Sequence, residues 1–342
     1  MIHWRTGTPK FLTCHPSHMK FGILSTANIG VKHVIPGIKR TDHEVTAISS
    51  RNSSRARQVA EKCDIREVYE SYESLLSDSD VDAVYNPLPN GLHAEWTKQA
   101  VNNGRHVLCE KPLTADTDEA HNLRSYVKGT DCLVMEGLMY AYHPRTERAL
   151  ELVSEYLSEI SSVTARFSFH LNRTDDIRLD GDLAGGSLMD IGYYPVDLVR
   201  SMLGTPQSIY GTLVDARGCG TDTNMKAIFE YDSGATAQLS SSFESPLTQF
   251  YRVEAANGWI EVRDAFDTPK DVGATIRGEI DGNSLTETFD PVDHYEKEVL
   301  HFARCFDQGT TPRTDLTRAT QNMELVDAIR RSDTRGEPIA VV

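Results

Sequence analysis

The sequence predicts an α/β protein in two parts: a doubly wound parallel sheet, followed by an α+β region built on a large, mostly antiparallel open sheet. Three observations lead to this prediction. Short apolar runs alternate with amphipathic stretches up to about residue 137, and apolar and polar residues alternate with period two beyond about residue 160. The length of 342 residues is enough for two domains.

The first part opens with a compact apolar strand at residues 21–24, followed by a turn and a helix through Ile29, Val34 and Ile38. Short strands that are apolar throughout are typical of parallel sheets covered by helices on both faces. The further predicted strands are residues 44–48, 83–85, 106–109 and 132–135, and the further predicted helices are residues 53–62, 72–77, 93–102 and 117–127.

In the second part, turn signals such as Asp232-Ser233-Gly234 and Asn257-Gly258 separate strands with one apolar face. The predicted strands are residues 163–171, 208–214, 225–231, 235–243, 250–255 and 259–262, and the predicted helices are residues 187–203, 295–308 and 315–331. We expect an N-terminal extension at residues 1–18 that is disordered or precedes the native start, a first domain at 19–137 and a second at 138–342.

The composition excludes several classes of function. The formal charge is −15, and such a surface repels phosphate backbones, so we expect no nucleic-acid partner. No apolar run reaches about 18 residues, so we expect no membrane span. Six scattered cysteines without a secretory signal favour free thiols and the cytoplasm. The acid-rich, Lys-poor composition fits either a salt-adapted organism or GC-rich coding.

The turn after the first strand reads Ser25-Thr26-Ala27-Asn28-Ile29-Gly30, where dinucleotide-binding folds carry a glycine-rich loop. Only Gly30 is kept, but the small Ser25 and Ala27 still permit the backbone to approach a pyrophosphate. A small-residue turn that opens any β–α unit explains the segment almost as well. The predicted cofactor-binding residues here are Ser25, Thr26, Ala27, Asn28 and Ile29.

The second strand ends at Ser50-Arg51-Asn52, about 20 residues past Gly30, where an NAD enzyme usually has an acidic residue for the ribose 2′-hydroxyl. A hydroxyl and a guanidinium occupy this place instead, and Arg55 follows. Because a guanidinium matches phosphate geometry, Ser50, Arg51, Asn52 and Arg55 favour NADP over NAD. A solvated Arg after a strand is the alternative.

Two longer segments are more specific. NPLPNGLH (residues 86–93) leads to GRHVLCEKPL (residues 104–113), and GGSLMDIGYYP (residues 185–195) lies further on. In these segments the chain resembles the Gfo/Idh/MocA family, named for glucose–fructose oxidoreductase and inositol dehydrogenase. The nearest branch resembles NADP-dependent aldose dehydrogenases and dihydrodiol dehydrogenases. The resemblance implies that residues 19–137 form a dinucleotide-binding Rossmann domain and that residues 138–342 bind the substrate and mediate oligomerisation.

The resemblance also implies that Lys111, Asp190 and Tyr194 are catalytic and contact the substrate. Asp190 and Tyr194 are spaced i, i+4, so a helix would project both from one face. A Tyr needs a nearby cation to act as a general base at neutral pH, and we expect Lys111 to lower the pKa of Tyr194. The alternatives are a structural hydrogen-bond anchor for Asp190 and a core aromatic for Tyr194.

Further site residues are expected on the same basis. Glu110 would orient Lys111 by charge pairing, and Asn90 would contact the cofactor or cap a helix. The additional cofactor-binding candidates are Pro87, Leu88, Asn90, His93, Glu110 and Lys111, and the additional substrate-binding candidates are Tyr140, His143 and Arg178, with Tyr295 as a weaker one. No histidine spacing fits a metal site, so no metal is invoked.

The expected reaction is NADP-dependent oxidation of the C1 hydroxyl of an aldose, such as xylose or glucose, to an aldonolactone. Oxidation of a dihydrodiol or reduction of an anhydro-sugar ketone would use the same site. A non-catalytic dinucleotide-binding regulator is a further alternative, although it would be expected to lack Lys111 or Tyr194. A tightly held cofactor that serves sugar–sugar oxidoreduction is another. We expect a homodimer or homotetramer formed through the second sheet.

Overall fold

The computed structural model describes residues 18–78 and 80–341, so the predicted extension lies outside the described residues except for His18. Two sheets organise the chain. The first has six parallel strands in the order β3-β2-β1-β4-β5-β6. These strands are β1 (Lys20–Leu24), β2 (Glu44–Ser49), β3 (Glu67–Tyr69), β4 (Ala83–Asn86), β5 (His106–Glu110) and β6 (Val134–Gly137).

Helices connect these strands and cover both faces of the sheet. They are α1 (Ile35–Lys39), α2 (Ser53–Lys62), α3 (Tyr72–Leu76), α4 (His93–Asn102) and α5 (Thr117–Val127). Every residue of β4 is buried, as the apolar runs predicted. Side-chain oxygens of Asn52 and Asp116 accept from the first turns of α2 and α5, which fixes where these helices begin.

The second sheet has nine strands in the order β14-β13-β12-β11-β7-β10-β9-β8-β15. All described neighbours in it are antiparallel except β7 and β10, which run parallel. The strands are β7 (Ile160–Ser168), β8 (Ser208–Val214), β9 (Asn224–Glu230), β10 (Thr236–Ser242), β11 (Thr248–Ala255), β12 (Gly258–Arg263), β13 (Ala274–Ile280), β14 (Asn283–Phe289) and β15 (Ile339–Ala340). The predicted fold class is therefore confirmed.

Four helices belong to this half of the chain: α6 (Pro144–Glu151), α7 (Tyr193–Leu203), α8 (His294–Gln308) and α9 (Leu316–Arg335). The helix predicted at 187–203 is instead a π-helical turn, Leu188–Gly192, that continues into α7. None of the described helices is both long enough and apolar enough to cross a membrane.

The last helices return to the first sheet and close the molecule around a cleft. A Cβ at Gly37 of α1 would lie 3.3 Å from the backbone N of Glu296, so a larger residue would push α8 slightly away from α1. Helix α9 packs against α5 and β8. The carboxyl ends of β1, β4, β5 and β6, where ligands bind in open α/β sheets, therefore face the second half of the chain.

Candidate active site

Lys111 follows directly on β5 and is paired with a carboxylate from the second half of the chain. Its Nζ lies 2.6 Å from the backbone O of Asp190 and 3.1 Å from Oδ1 of that residue. Arg178 donates from Nε to the other carboxylate oxygen of Asp190 at 2.8 Å. Burial raises the pKa of Asp190, but the charges of Lys111 and Arg178 outweigh it and hold this pKa below its ordinary value.

The Tyr194 ring lies beside the same ammonium group. Lys111 Nζ is 4.9 Å from the ring centroid, which is cation–π distance. The Tyr194 hydroxyl contacts Sδ of Met139 at 3.4 Å, and its ring packs against Phe167 and Phe266. The structure therefore brings together the three residues predicted to be catalytic, with the ammonium facing the ring of the phenol.

The expected electrostatic effect of Lys111 on Tyr194 is wrong. Tyr194 is only 5% exposed, and burial raises the pKa of its phenol well above the ordinary value. Nearby acidic groups, among them Glu110 and Asp190, raise this pKa further. Asp190 already pairs with Lys111, so little of the ammonium charge remains to stabilise a phenolate. Tyr194 is a neutral phenol in this structure.

Glu136 on β6 joins the two segments that carry these groups. Its Oε1 accepts from the backbone N of Leu113 at 2.9 Å and from the Tyr193 hydroxyl at 2.8 Å. Glu136 is fully buried, and burial raises its pKa to about 7. The loop of Lys111 and the helix of Tyr194 are thus held by one carboxyl group.

Two residues near Lys111 have roles other than those predicted. Glu110 does not orient Lys111, because its Oε1 accepts from the Tyr85 hydroxyl at 2.6 Å and the ammonium group of Lys111 pairs with Asp190. His93 is 1% exposed, and its ring nitrogens lie 2.7 Å from the Pro112 carbonyl oxygen and 2.6 Å from that of Leu88. His93 therefore joins two backbone segments and does not present its ring to a cofactor.

Three more predictions are corrected by the partners of the side chains. Asn90 caps none of the described helices, and its Nδ2 donates to the Ala184 carbonyl at 2.9 Å, which links the two halves of the chain. The Tyr140 hydroxyl donates to buried Asp197 at 2.5 Å. His143 is buried and caps α6 by accepting from the backbone N of Arg145. The Tyr140 hydroxyl is therefore committed to Asp197, whereas His143 caps α6 through Nδ1 and its buried Nε2 has no hydrogen-bond partner among the described residues.

Arg178 and Tyr295 lie nearer the site. The Arg178 side chain is 44% exposed and bridges Asp190 and Asp176 at the mouth of the cleft. Tyr295 is buried at the start of α8, with its ring 5.0 Å from that of His33 on the turn preceding α1. Its phenol carries a pKa well above the ordinary value, because of burial. Tyr295 forms a wall of the cleft and is not a proton acceptor here.

The turn after β1 has the geometry that a pyrophosphate loop needs. Ser25 has a φ of 95°, a value that favours glycine, and its backbone N donates to the Ser49 carbonyl at 2.8 Å. A Cβ at Gly30 would lie 3.2 Å from the Tyr85 ring and 3.7 Å from Pro87. This glycine therefore allows the turn to pack tightly against β4, as the third glycine of such loops does.

Two guanidinium groups stand where the adenosine end of a dinucleotide would lie. Arg55 on α2 donates from Nη2 to the Thr26 carbonyl at 3.1 Å, and Arg51 lies beside the Tyr72 hydroxyl after β2. Asn52 uses its Oδ1 to cap α2, while the Ser50 hydroxyl accepts from the backbone N of Asn52. Of this group, Arg51 and Arg55 offer positive charge to a phosphate.

Sequence reasoning missed several residues of the cleft. Met139, Phe167 and Phe266 surround the Tyr194 ring, and Asp267 follows on the loop after β12. None belongs to a recognisable motif, and they come from three separate segments that only the second sheet brings together. In the described parts of the chain, no three or more His, Cys, Asp or Glu side chains are arranged to hold a metal ion.

A neutral phenol and a paired ammonium group at the carboxyl ends of parallel strands can hold a hydroxyl or carbonyl oxygen between them and exchange a proton with it. With a dinucleotide loop after β1 of the same sheet, these features define an oxidoreductase of the Rossmann class. Residues 19–138 match the model of an oxidoreductase family with an NAD-binding Rossmann fold, and residues 148–261 match the GFO/IDH/MocA C-terminal domain. The chain belongs to the GFO/IDH/MocA oxidoreductase family.

Relatives of known activity cover nearly the whole chain. A D-xylose 1-dehydrogenase (NADP(+)) from Haloferax volcanii is 49% identical over 322 residues, which are 94% of this chain and 99% of that protein. A 3-ketoreductase from Actinomadura kijaniata, crystallised with NADP and TDP-benzene, is 31% identical with a TM-score of 0.87 and covers 92% of this chain and 98% of its own. A trans-1,2-dihydrobenzene-1,2-diol dehydrogenase from Xenopus laevis is 27% identical and covers 89% of this chain and 94% of its own.

Proposed function

We propose that this protein oxidises the C1 hydroxyl of a cyclic pentose or hexose, such as xylose, with NADP⁺ as the oxidant. The products are an aldonolactone, NADPH and a proton. The observation that carries the proposal is the meeting of Lys111, Asp190 and Tyr194 at the carboxyl ends of the parallel strands. The 49% identity to an NADP-dependent D-xylose dehydrogenase over nearly the whole chain supports the substrate class.

Bound NADP⁺ supplies the acceptor for the hydride that leaves C1. Lys111 donates a hydrogen bond to the reacting oxygen, and Tyr194 exchanges the proton of that oxygen with solvent. Asp190 orients Lys111. In the reductive direction the neutral Tyr194 phenol is already the proton donor, whereas in the oxidative direction it must first lose its proton. With NADP⁺ bound, the positive charge of its nicotinamide ring would favour that loss.

For the cofactor, we assign the 2′-phosphate to Arg51, which follows β2, and to Arg55 on α2. The two guanidinium groups fit a phosphate because no carboxylate stands at the end of β2 to repel it. The backbone of the turn Ser25–Ile29 would hold the pyrophosphate, and Pro87 and Leu88 would border the nicotinamide half. NAD⁺ is expected to be the poorer cofactor, since it has no 2′-phosphate to pair with the two guanidinium groups.

A dihydrodiol is the second candidate substrate, because a relative with that activity covers most of this chain. The Tyr194 ring, packed against Phe167 and the fully buried Phe266, would suit an apolar ring. Reduction of an anhydro-sugar ketone would use the same proton donor. We also propose that the protein acts in the cytoplasm as a homo-oligomer formed through the outer face of the second sheet.

A substrate panel tests the proposed reaction. Purified protein is assayed for NADPH and NADH formation with xylose, glucose, other aldoses, polyols and a trans-dihydrodiol. We expect the highest kcat/KM with an aldose and NADP⁺, with aldonate appearing after hydrolysis of the lactone. Activity confined to the dihydrodiol would exclude aldoses as substrates, and equal or better turnover with NAD⁺ would exclude the role given to Arg51 and Arg55.

A further inference from the structure

The loop between β12 and β13 is held by two buried polar side chains. Arg145 is 1% exposed, and its guanidinium donates to the carbonyls of Arg263, Asp264 and Ala265 at 2.8–3.0 Å and to the Thr268 hydroxyl at 2.9 Å. A buried Arg usually pairs with a carboxylate. Arg145 is committed to the backbone of a single loop, so this loop is fixed in place.

A second buried side chain fixes the same loop from the other side. Gln249 on β11 is 6% exposed, and its Oε1 accepts from the backbone N of Phe266 at 3.2 Å and of Asp267 at 2.6 Å. Rigid support of this kind is what a binding residue needs, because a group held before the ligand arrives loses little entropy on binding. A binding residue on this loop must have a side chain that the loop presents to a ligand.

The loop turns one side chain into the core and the next one into the cleft. Phe266 is fully buried and packs against Tyr194, Tyr140 and Phe167. The Asp267 side chain is 55% exposed. Asp267 follows directly on Phe266, whose ring centroid lies 5.6 Å from that of Tyr194, and its carboxylate interacts with the charge of Lys111. Asp267 therefore lies near the reacting groups.

The Asp267 carboxylate is available to a ligand. The His294 imidazole Nε2 is 3.9 Å from Oδ1, which is beyond hydrogen-bond distance, and burial lowers the pKa of this imidazole to about 3. No hydrogen bond to the Asp267 carboxylate is found in the described parts of the chain. The apolar walls of the cleft raise the pKa of Asp267, while the charges of His33 and Lys111 oppose that shift. Its negative charge in turn acts on Tyr194.

We propose that Asp267 is a substrate-binding residue that accepts a hydrogen bond from a hydroxyl group of the sugar away from C1. The inference rests on the proposed oxidation of an aldose. Lys111 and Tyr194 hold only the reacting oxygen, and a carboxylate on a rigid loop across the cleft supplies a second point of attachment. An aldose carries hydroxyl groups on C2 and on the carbons that follow it. A ligand with an apolar far end would leave this carboxylate without a hydrogen-bond donor.

The test compares Asp267→Ala and Asp267→Asn with wild type. A hydrogen bond to a charged group that is equally strong in the ground and transition states lowers KM without changing kcat. We therefore expect the KM for D-xylose to rise about 10- to 100-fold in Asp267→Ala, and less in Asp267→Asn, with kcat and the Kd of NADP⁺ within about twofold of wild type. Asp264→Asn is the matched control, because Asp264 lies in the same loop and Asn tolerates its φ of 49°.

Deoxy analogues of xylose identify the hydroxyl that is bound. One analogue should have a higher KM than xylose in wild type. In Asp267→Ala the same analogue and xylose should have similar KM values, because the variant has already lost the contact. A KM for xylose within twofold of wild type overturns the inference, as does a loss of NADP⁺ affinity in step with xylose affinity. Either result leaves the proposed function intact. If wild-type protein oxidises no aldose, both the function and this inference are wrong.

Discussion

Tyr194 is the residue whose protonation limits the proposed oxidation. Among the described residues, its hydroxyl hydrogen-bonds only to the sulfur of Met139, a weak acceptor, and burial keeps its pKa well above the ordinary value. The fraction of phenolate therefore grows about tenfold with each pH unit below that pKa. Oxidation needs the phenolate and reduction needs the phenol, so the two directions should respond to pH in opposite ways.

The first prediction follows from this difference. In wild type, kcat/KM for aldose oxidation should rise with pH from 6 to at least about 9. Tyr194→Phe should lower it by about 100-fold or more and remove the rise. Tyr193→Phe is the matched control: it removes the neighbouring hydroxyl, which binds Glu136, and should keep the rise with pH. A flat profile in wild type, or a rising one in Tyr194→Phe, would contradict the role of this phenol.

At the same scale, the sequence identified the reacting groups but not their surroundings. Lys111, Asp190 and Tyr194 stand in motifs, and the structure brings them together. The side chains that pack on Tyr194 and the free carboxylate of Asp267 have no motif, because contact alone defines them. His93 and Tyr140 stand in or beside motifs too, yet their polar atoms bind backbone and Asp197, which residue type does not reveal.

Among the elements, β6 determines how the catalytic segments meet. Glu136 on this strand binds the backbone of the Lys111 loop and the Tyr193 hydroxyl at the start of α7. Its pKa is about 7 in the folded chain, against an ordinary value of 4.5. A carboxyl with a raised folded-state pKa contributes stability that is present below the ordinary pKa and is lost as the pH rises through about 7.

The second prediction concerns Glu136→Gln. Gln can still accept from Leu113 but cannot ionise, so the variant should lack this loss of stability at neutral pH. The free energy of unfolding of wild type minus that of Glu136→Gln should fall by about 2 kcal/mol between pH 5 and pH 8. Chemical denaturation of both proteins across this range provides the measurement. A difference that is constant, or that grows with pH, would show that Glu136 is ionised at pH 5.

The longer helices were predicted well, whereas α6, β13 and several short or exposed strands were not predicted. Helix α5 is found at Thr117–Val127, where its pattern placed it. Strand β14 was missed because none of its residues is fully buried, so its sequence has no apolar face that would indicate a strand. Strands β3 and β15 have only three and two residues, too few for a pattern. Their place is determined by pairing with neighbours, which is a tertiary effect.

At the scale of the whole molecule, one face of the second sheet carries exposed apolar side chains. Helix α9 packs against β8 on one face, while on the other face the cross-strand pair Tyr210 and Ile228 is 41% and 44% exposed. Large apolar side chains in register on neighbouring strands favour contact with another apolar surface. This arrangement supports the proposed homo-oligomer.

The third prediction tests that surface. Ile228→Glu should shift the protein from an oligomer to a monomer in sedimentation experiments at micromolar concentration, because a charge in a sheet-to-sheet contact is not solvated. Tyr126→Glu, at an equally exposed position on α5, should leave the oligomer unchanged. A wild-type monomer, or an Ile228→Glu variant that remains an oligomer, would exclude this face as the interface.

The central claim is that the cleft between the two sheets transfers hydride from C1 of an aldose to a bound nicotinamide ring beside Lys111 and Tyr194. The most direct test supplies D-xylose carrying deuterium at C1 together with NADP⁺ and analyses the reduced cofactor by mass spectrometry. We predict one deuterium per NADPH formed, with none formed by Lys111→Ala protein that still binds NADP⁺. Unlabelled NADPH, or full activity in Lys111→Ala, would contradict it.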